Sequence, residues 1–406
     1  MGTGAIGTSS SGITLYMEEE KGSPSEGLKR FLLNQIEKKG AIPFVQFMEW
    51  CLYHETYGYY QSNPMRIGKE GDYYTGPNVH PLFGAMIAKQ LCQMVEILGE
   101  ERFEIVEIGG AQGDLCEDIL QWMKIQRPDC YALTTYYLVE QSLAFRRLQK
   151  ERLARFEREG KLFWRSPEIL DTGENQFTGC FLSNELIDAF PVHRVVMTQG
   201  ELKEIYVTQE EGELKEVIGP PSTPELVTYF KSFGIPLGEG QHAEVNLHAL
   251  NWIEKVSRCL RKGFVITIDY GYLAEELYAP SHYRGTLLCY HRHRTSENPY
   301  ERIGEQDLTS HVNFTALIRK GEEVGLRFTG FVPQYRFLLA LGLLQELELL
   351  SQGLSEQSRL ELRLTVKHLI EPEMGMGEVF KVLIQHKGID HPSLDGLRDL
   401  STISLA

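Results

Sequence analysis

The stretch Phe103-Glu-Ile-Val-Glu107-Ile-Gly-Gly-Ala-Gln-Gly113 decides the fold. A short apolar run, Phe103–Ile108, ends on an acid and opens into a glycine-rich turn. A helical pattern, Leu115–Ile125, follows at once. Glycines in such a turn allow positive φ and let a ligand approach the backbone closely. The same texture repeats downstream. Strands are predicted at Thr135–Val139, Leu162–Trp164, Gly179–Ser183 and Gly263–Ile268, with helices at Leu143–Arg155 and Val245–Leu260 between them. Short apolar strands alternating with helices predict an α/β fold with a parallel sheet covered on both faces.

The surroundings divide the chain. Residues 1–25, rich in Gly, Ser and Thr, are expected to be a disordered tail, and 26–100 a helical region. In the latter Leu28, Phe31, Leu32 and Ile36 keep helical spacing, Pro43 can open a second helix, and a third starts near Pro81. The loop from Tyr57 to His80 is too long to be a plain connection, so it is expected to cover a ligand. The core spans 101–390, with insertions at 190–210 and 279–313 and a Leu-rich helical stretch at 335–370. The first insertion reads as a hairpin, Val192–Val207, tipped by Gln199-Gly200. Glu378–Gln385 reads as a last strand at a sheet edge, and 391–406 as a tail.

Composition excludes several classes of partner. Against 41 Lys and Arg stand 56 Asp and Glu, a net charge of −15. Non-specific nucleic-acid or anionic-membrane binding needs a basic face, so neither is expected. The longest apolar run, Phe337 to Leu344, falls far short of the ~20 residues needed to cross a bilayer. The seven cysteines are scattered and lack zinc spacing, which suits buried reduced thiols and a cytoplasmic location.

The candidate cofactor residues are Glu107, Gly109, Gly110 and Gly113 in the first turn, with Glu140 and Gln141 at the end of the second strand. A carboxylate at Glu140 can accept from both hydroxyls of a ribose. Two cofactor classes share this plan. A dinucleotide presents its pyrophosphate to a Gly-x-Gly-x-x-Gly turn, and here Ala111 takes the second glycine's place. Glu107 would also repel a pyrophosphate, whereas it suits the cationic amino end of S-adenosylmethionine. The plain alternative is a tight strand-to-helix connection with both acids as solvated strand ends.

The fourth strand runs into Asn184-Glu185-Leu-Ile-Asp188-Ala-Phe-Pro191. If the chain turns helical here, Glu185 and Asp188 share a face at i and i+3. Paired carboxylates can hold a cationic acceptor and take its proton. A guanidinium most needs this, since it stays protonated above pH ~12. Asn184 could orient the cofactor's amino-acid part or the acceptor nitrogen. Alternatively Asn184 and Asp188 merely cap a helix. Asp269-Tyr270-Gly-Tyr272 forms another polar-aromatic strand end. His291, His293, Asp307 and His311 are read as loop or acceptor contacts; no metal is expected.

With these residues in view, the chain resembles the DUF185 family, the MidA and NDUFAF7 type of class I methyltransferases. The resemblance runs through Tyr57–Gln61, Gly71–Pro77, Phe83-Gly84, Glu107–Gly113, Leu138–Ser142 and Asn184–Pro191. It continues through Gly285–His293 and Asp307–Phe314. It implies a class I, Rossmann-like sheet of seven strands, S-adenosyl-L-methionine as cofactor, and Gly71, Thr75 and Pro77 in a loop over the site. It also implies a protein substrate: symmetric dimethylation of an arginine on the 49-kDa-type subunit of respiratory complex I during assembly. The sequence departs from the family at Ala111 (usually Gly), Asn78 and Ala85 (usually Glu) and Asn313 (usually Asp). Lost carboxylates around the site leave two further readings open, a different acceptor and a catalytically silent assembly chaperone.

Overall fold

The computed structural model describes residues 24–62, 72, 76–171, 173, 177–371 and 376–400. Its main sheet is built from β1 (Phe103–Ile108), β2 (Thr134–Val139), β3 (Leu162–Arg165), β4 (Phe177–Asn184), β5 (Leu260–Tyr272), β6 (Arg327–Pro333) and β7 (Phe380–Lys387). Their order is β6-β7-β5-β4-β1-β2-β3. Strands β1 to β5 run parallel, and β7 lies antiparallel between β5 and β6. The chain winds from β1 outward to β3, then returns to place β4 on the other side of β1. That reversal opens a crevice beyond the carboxyl ends of β1 and β4, where open α/β sheets bind ligands.

The sheet has eight strands among the described residues rather than seven. The additional one is the two-residue Val312–Asn313, paired with Gly271 and Tyr272 at the end of β5. A second difference concerns the edge. Glu378–Gln385 was expected there, but β7 is interior, with seven of its eight residues buried, so it needs cover on both faces. The true edge, β6, carries Gly330 and Pro333 and is half-exposed, features tolerated at an edge that hide a strand from pattern reading.

Strand alternation sorts the core. Ile105, Leu182 and Ile266 face one cluster, with helices α3 (Leu82–Leu98) and α4 (Asp114–Gln126); Val106, Phe181 and Val265 face the other. Helices α6 (Leu247–Cys259) and α7 (Phe314–Glu323) cover that second face. Ahead of these lie α1 (Pro24–Lys39) and α2 (Phe44–Tyr53), and after α4 comes α5 (Leu143–Arg152). The helix expected over Leu143–Arg155 breaks at Leu153, and a short one, Ala154–Arg158, follows. Because α1 opens at Pro24, residues 24 and 25 are helical rather than part of a tail; residues 1–23 and 401–406 lie outside the described residues.

The 391–400 stretch is anchored, not loose. Leu394 is buried, and the side chains of Gln93 and Gln90 accept from the amides of Asp395 and Gly396 at 2.8 and 3.0 Å. The first insertion forms the hairpin His193–Thr198 and Glu201–Glu210 around Gln199-Gly200, inside a five-stranded sheet that also takes in Ile42–Pro43 of the N-terminal region. The second contains a three-stranded sheet, Leu288–His291, Arg294–Ser296 and Asp307–Thr309. All seven cysteines are buried and free.

Two backbone positions test this account. Gly263 opens the central part of β5 at φ 142°, and a Cβ there would stand 1.9 Å from the carbonyl oxygen of Gly179. That neighbour is backbone and cannot yield. Gly263→Ala should therefore destabilise the protein by about 3 kcal/mol or more, read as a lower urea midpoint. In the first turn Ala111 has φ 43°, not the negative φ that an L-residue prefers. A left-handed Cβ costs roughly 1–2 kcal/mol, more than the chain entropy a glycine adds. Ala111→Gly should raise stability by about 0.5–1 kcal/mol in the same titration.

Candidate active site

Beyond the ends of β1, β2 and β4 lies a cavity of about 560 Å³, within the range of small-molecule and cofactor sites. Gly109 and Gly110 form its floor, and Glu107, Glu140 and Gln141 stand along one wall. Gly109 is at φ 74°, and a Cβ on it would come within 2.8 Å of the Leu186 side chain. The turn thus lets the β1 and β4 ends approach one another. Glu107 is buried and accepts from the Tyr136 hydroxyl at 2.9 Å. Burial lifts its carboxyl to about 7, against the pull of that bond.

Glu140 sits just past β2. The Ser142 amide donates to its Oε1 at 2.8 Å, and Gln141, Ala111 and Gln149 also hold it. Burial still prevails and raises it to about 7. Gln149 ties this corner together, since its amide donates to the Ala111 carbonyl at 2.7 Å while its oxygen accepts from the Trp164 indole at 3.0 Å.

The opposite wall is Asn184, Glu185 and Leu186. No helix forms after β4, so the expected i, i+3 arrangement of Glu185 and Asp188 is absent. Instead Glu185 takes φ 51°, its amide donating to the Ile268 carbonyl at 2.9 Å. The amides of Leu186, Ile187 and Asp188 then all point at Asp269 Oδ2, at 3.2, 2.9 and 3.4 Å. This carboxylate does the work a helical turn would have done, and it brings Glu185 and Asp188 within electrostatic reach of each other. Burial, then Asp188, raises Glu185 to about 8; burial raises Asp188 to about 6 and lifts Asp269 well up. Among the described residues no ion pair engages any of the three. Glu185 Oε1 accepts from the Gly76 amide and from Asn184 Nδ2, at 3.2 and 3.1 Å, while Asn184 Oδ1 is buried with no partner.

Of the other expected site residues, Pro77 lines the cavity, and Gly71 and Thr75 lie outside the described residues. Gly113 is not in the lining; it caps the start of α4 at φ 85°. Nor is Asp188, which lies deeper. The departures at Asn78, Ala85 and Asn313 separate in space. Asn78 lines the cavity and donates to Asp114 Oδ2 at 3.2 Å. Asn313 caps α7, accepting from the Ala316 amide at 3.1 Å and donating to Tyr229, and Ala85 is buried in α3. Neither Ala85 nor Asn313 belongs to the cavity wall, so of the three positions only Asn78 bears on it.

Sequence reading missed Tyr53 and Tyr60, which line the cavity from the N-terminal region. The Tyr53 hydroxyl donates to the Ala189 carbonyl at 2.9 Å and the Tyr60 hydroxyl to Asp307 Oδ1 at 2.8 Å. The tyrosine density of 57–60 was the available signal. The residues present fit S-adenosylmethionine. A buried carboxylate stands at the end of β2, a glycine floor lies under it, and an unpartnered amide oxygen, Asn184 Oδ1, waits on the facing wall.

Comparison with known proteins agrees. A 29% identical protein from Burkholderia thailandensis, a COG1565 superfamily member solved with S-adenosyl-homocysteine bound, superposes with a TM-score of 0.82 over 92% of this chain and 95% of its own. Among curated relatives, the Drosophila melanogaster protein arginine methyltransferase NDUFAF7 homolog is 25% identical across 93% of this chain and 90% of its own length. Human protein arginine methyltransferase NDUFAF7 is 26% identical across 90% and 85%. Both of these relatives are mitochondrial. The Methyltransf_28 family matches residues 86–332, well over half of the sequence, and the chain belongs to this family of S-adenosyl-L-methionine-dependent methyltransferases.

Proposed function

We propose that the chain methylates an arginine side chain of a protein, and that the acceptor is a 49-kDa-type subunit of respiratory complex I. The observation that carries the arginine is the buried pair Glu185 and Asp188 beside the cofactor turn, with no cation paired to it among the described residues. The names of the curated relatives support the same reading. For the complex I subunit the support is the family resemblance through Gly285–His293 and Asp307–Phe314.

S-adenosylmethionine, when bound, supplies the electrophilic methyl group. In this reading Glu140 accepts from the ribose hydroxyls, Gly109 and Gly110 let the ligand lie against the backbone, and Glu107 and Asn184 Oδ1 attract the cationic amino end. Glu185 accepts from the guanidinium and, with Asp188, takes the proton that the acceptor nitrogen loses. A carboxyl whose affinity for protons is raised by burial suits that step, because it can hold the proton near neutral pH. Pro77, in the short helix Gly76–Val79, adds an apolar contact to the cofactor side of the cavity.

Two measurements test this. Calorimetric titration with S-adenosylmethionine should show Glu140→Ala binding at least about 100-fold more weakly than the wild type, two charge-assisted bonds being lost. Glu140 titrates near 7 and bonds to hydroxyls best when ionised. Affinity should therefore rise from pH 6 to pH 8, and rise less in Glu140→Gln. Undiminished binding by Glu140→Ala would remove the assignment. Secondly, the intact mass of the 49-kDa-type subunit, co-expressed with and without this protein, should differ by two methyl groups on one arginine. An unchanged mass would leave the silent chaperone or another acceptor in its place.

A further inference from the structure

The Gly285–His293 block contributes nothing to the cofactor cavity wall, and it leads into a second cavity. This one, of about 650 Å³, is also of a size that holds ligands. Its wall carries His291, Arg292, Arg294 and Arg302, and among the described residues Glu301 is its one carboxylate. In a chain of net charge −15 that is a local reversal of sign. Glu301 stands 3.5 Å from Arg302, and among the described residues no ion pair engages the side chain of Arg292 or Arg294. The tip between strands Leu288–His291 and Arg294–Ser296 puts Arg292 at φ 49° and His293 at φ 57°. Asn or Gly would take such a turn without strain, so an arginine here is kept for its side chain. Asp72 steadies the tip, its Oδ1 accepting the Arg292 amide at 2.7 Å and its carbonyl the His293 amide at 2.8 Å. A separate observation concerns Gln306 on the same wall, which is 1% exposed. Its Nε2 donates to the Asn298 carbonyl at 3.0 Å, which fixes the direction of the amide, and its oxygen is buried with no partner. Native folds leave few such acceptors unpaired.

We propose that this second cavity docks an acidic peptide segment of a protein partner, with carboxylates on Arg292 and Arg294 and a backbone N–H on Gln306. The arginines ask for an anion, because a guanidinium presents a fork of donors that matches a carboxylate. Gln306 asks for the opposite, a donor. An acidic peptide carries both within one residue, a side-chain carboxylate and a main-chain N–H, whereas a bare inorganic anion answers the arginines alone. The position gives such docking a use. Asp307, in the same small sheet, accepts from the hydroxyl of Tyr60, which lines the cofactor cavity. A partner held by its acidic segment is thereby kept beside the methyl-transfer site without occupying it. The docking does not depend on which residue of the partner is methylated.

The test is calorimetric titration of the full chain with an end-blocked hexapeptide of alternating Asp and Glu, with its Asn/Gln counterpart and with inorganic phosphate. The wild type should bind the acidic peptide at least about tenfold more tightly than the neutral one. Replacing the two exposed arginines together, Arg292→Gln with Arg294→Gln, should remove at least about tenfold of that affinity. The same change of charge on α5, Arg146→Gln with Arg147→Gln, should leave it unchanged. Gln306→Met, which deletes the acceptor at similar length, should weaken the peptide and spare phosphate. Unaltered affinity for S-adenosyl-homocysteine reports that each variant is folded, and the exposed arginine pair carries the test if Gln306→Met is not. Acidic and neutral peptides that bind alike, or not at all, overturn the inference. So does an acidic peptide indifferent to the Arg292 and Arg294 changes, or one weakened equally by the α5 pair. Phosphate that binds as tightly as the peptide, with Gln306→Met without effect, replaces the peptide site by a simple anion site. None of these outcomes touches the arginine reading, which the mass of the methylated subunit decides.

Discussion

The site hangs on one buried carboxylate. Asp269 Oδ2 accepts three successive amides just beyond β4, and without it those N–H groups would be stranded in a dry strand end, each costing roughly 1–3 kcal/mol. Its acceptor capacity allows the chain to leave the sheet without a helix. That in turn permits Glu185 to adopt its left-handed backbone and Asp188 to drop behind it. Because Asp269 sits on β5, directly after the residue that pairs with Asn184, the register between β4 and β5 fixes the position of Asn184 and Glu185 on the cavity wall. Any slip in that register would move them, and the glycine contact between Gly179 and Gly263 lower in the same two strands resists such a slip.

The cofactor half of this site is legible in the sequence, and the acceptor half much less so. Glu107 and Glu140 announce themselves because each ends an apolar strand in a chain whose strands are parallel, so their ends must lie at one edge. The strand–turn–helix grammar is local, and local patterns survive in a single sequence. Asp269 bonding to residues more than eighty positions earlier is not local. Residues 184–188 carry helix-capping types, so propensity alone favours a helix that the tertiary bond to Asp269 forbids. Edge strand β6 escaped for the converse reason: half-exposed and broken by Gly330 and Pro333, it has no periodicity to read. The anchoring of Leu394 and Gly396 on α3 likewise depends on Gln90 and Gln93, some three hundred positions away.

The acids at the cavity work against the stability of the protein that carries them. Glu107, Glu140, Glu185 and Asp188 are all raised by burial, which means that each is more costly to ionise here than in the unfolded chain. A protein selected only to fold would replace them with apolar groups, since a buried charge without a partner is rarely retained. Their clustering at one strand edge therefore suits a ligand that brings positive charge, as S-adenosylmethionine does with its sulfonium and ammonium groups.

Backbone strain points to the same place. Two of the non-glycine residues at positive φ, Ala111 and Glu185, line this cavity, one on each side of the crevice. Strain of that kind persists only where surrounding bonds over-determine it. For Ala111 those bonds run to Gln149 and Glu140, and for Glu185 to Ile268 and Gly76. The two cases differ in what the side chain does. Glu185 cannot be a glycine without losing the carboxylate that it sets on the cavity wall. Ala111 contributes only a methyl group, and its backbone amide and carbonyl would serve equally from a glycine. An alanine at this position thus loads the turn with backbone strain without altering the backbone groups that the turn presents to the cavity.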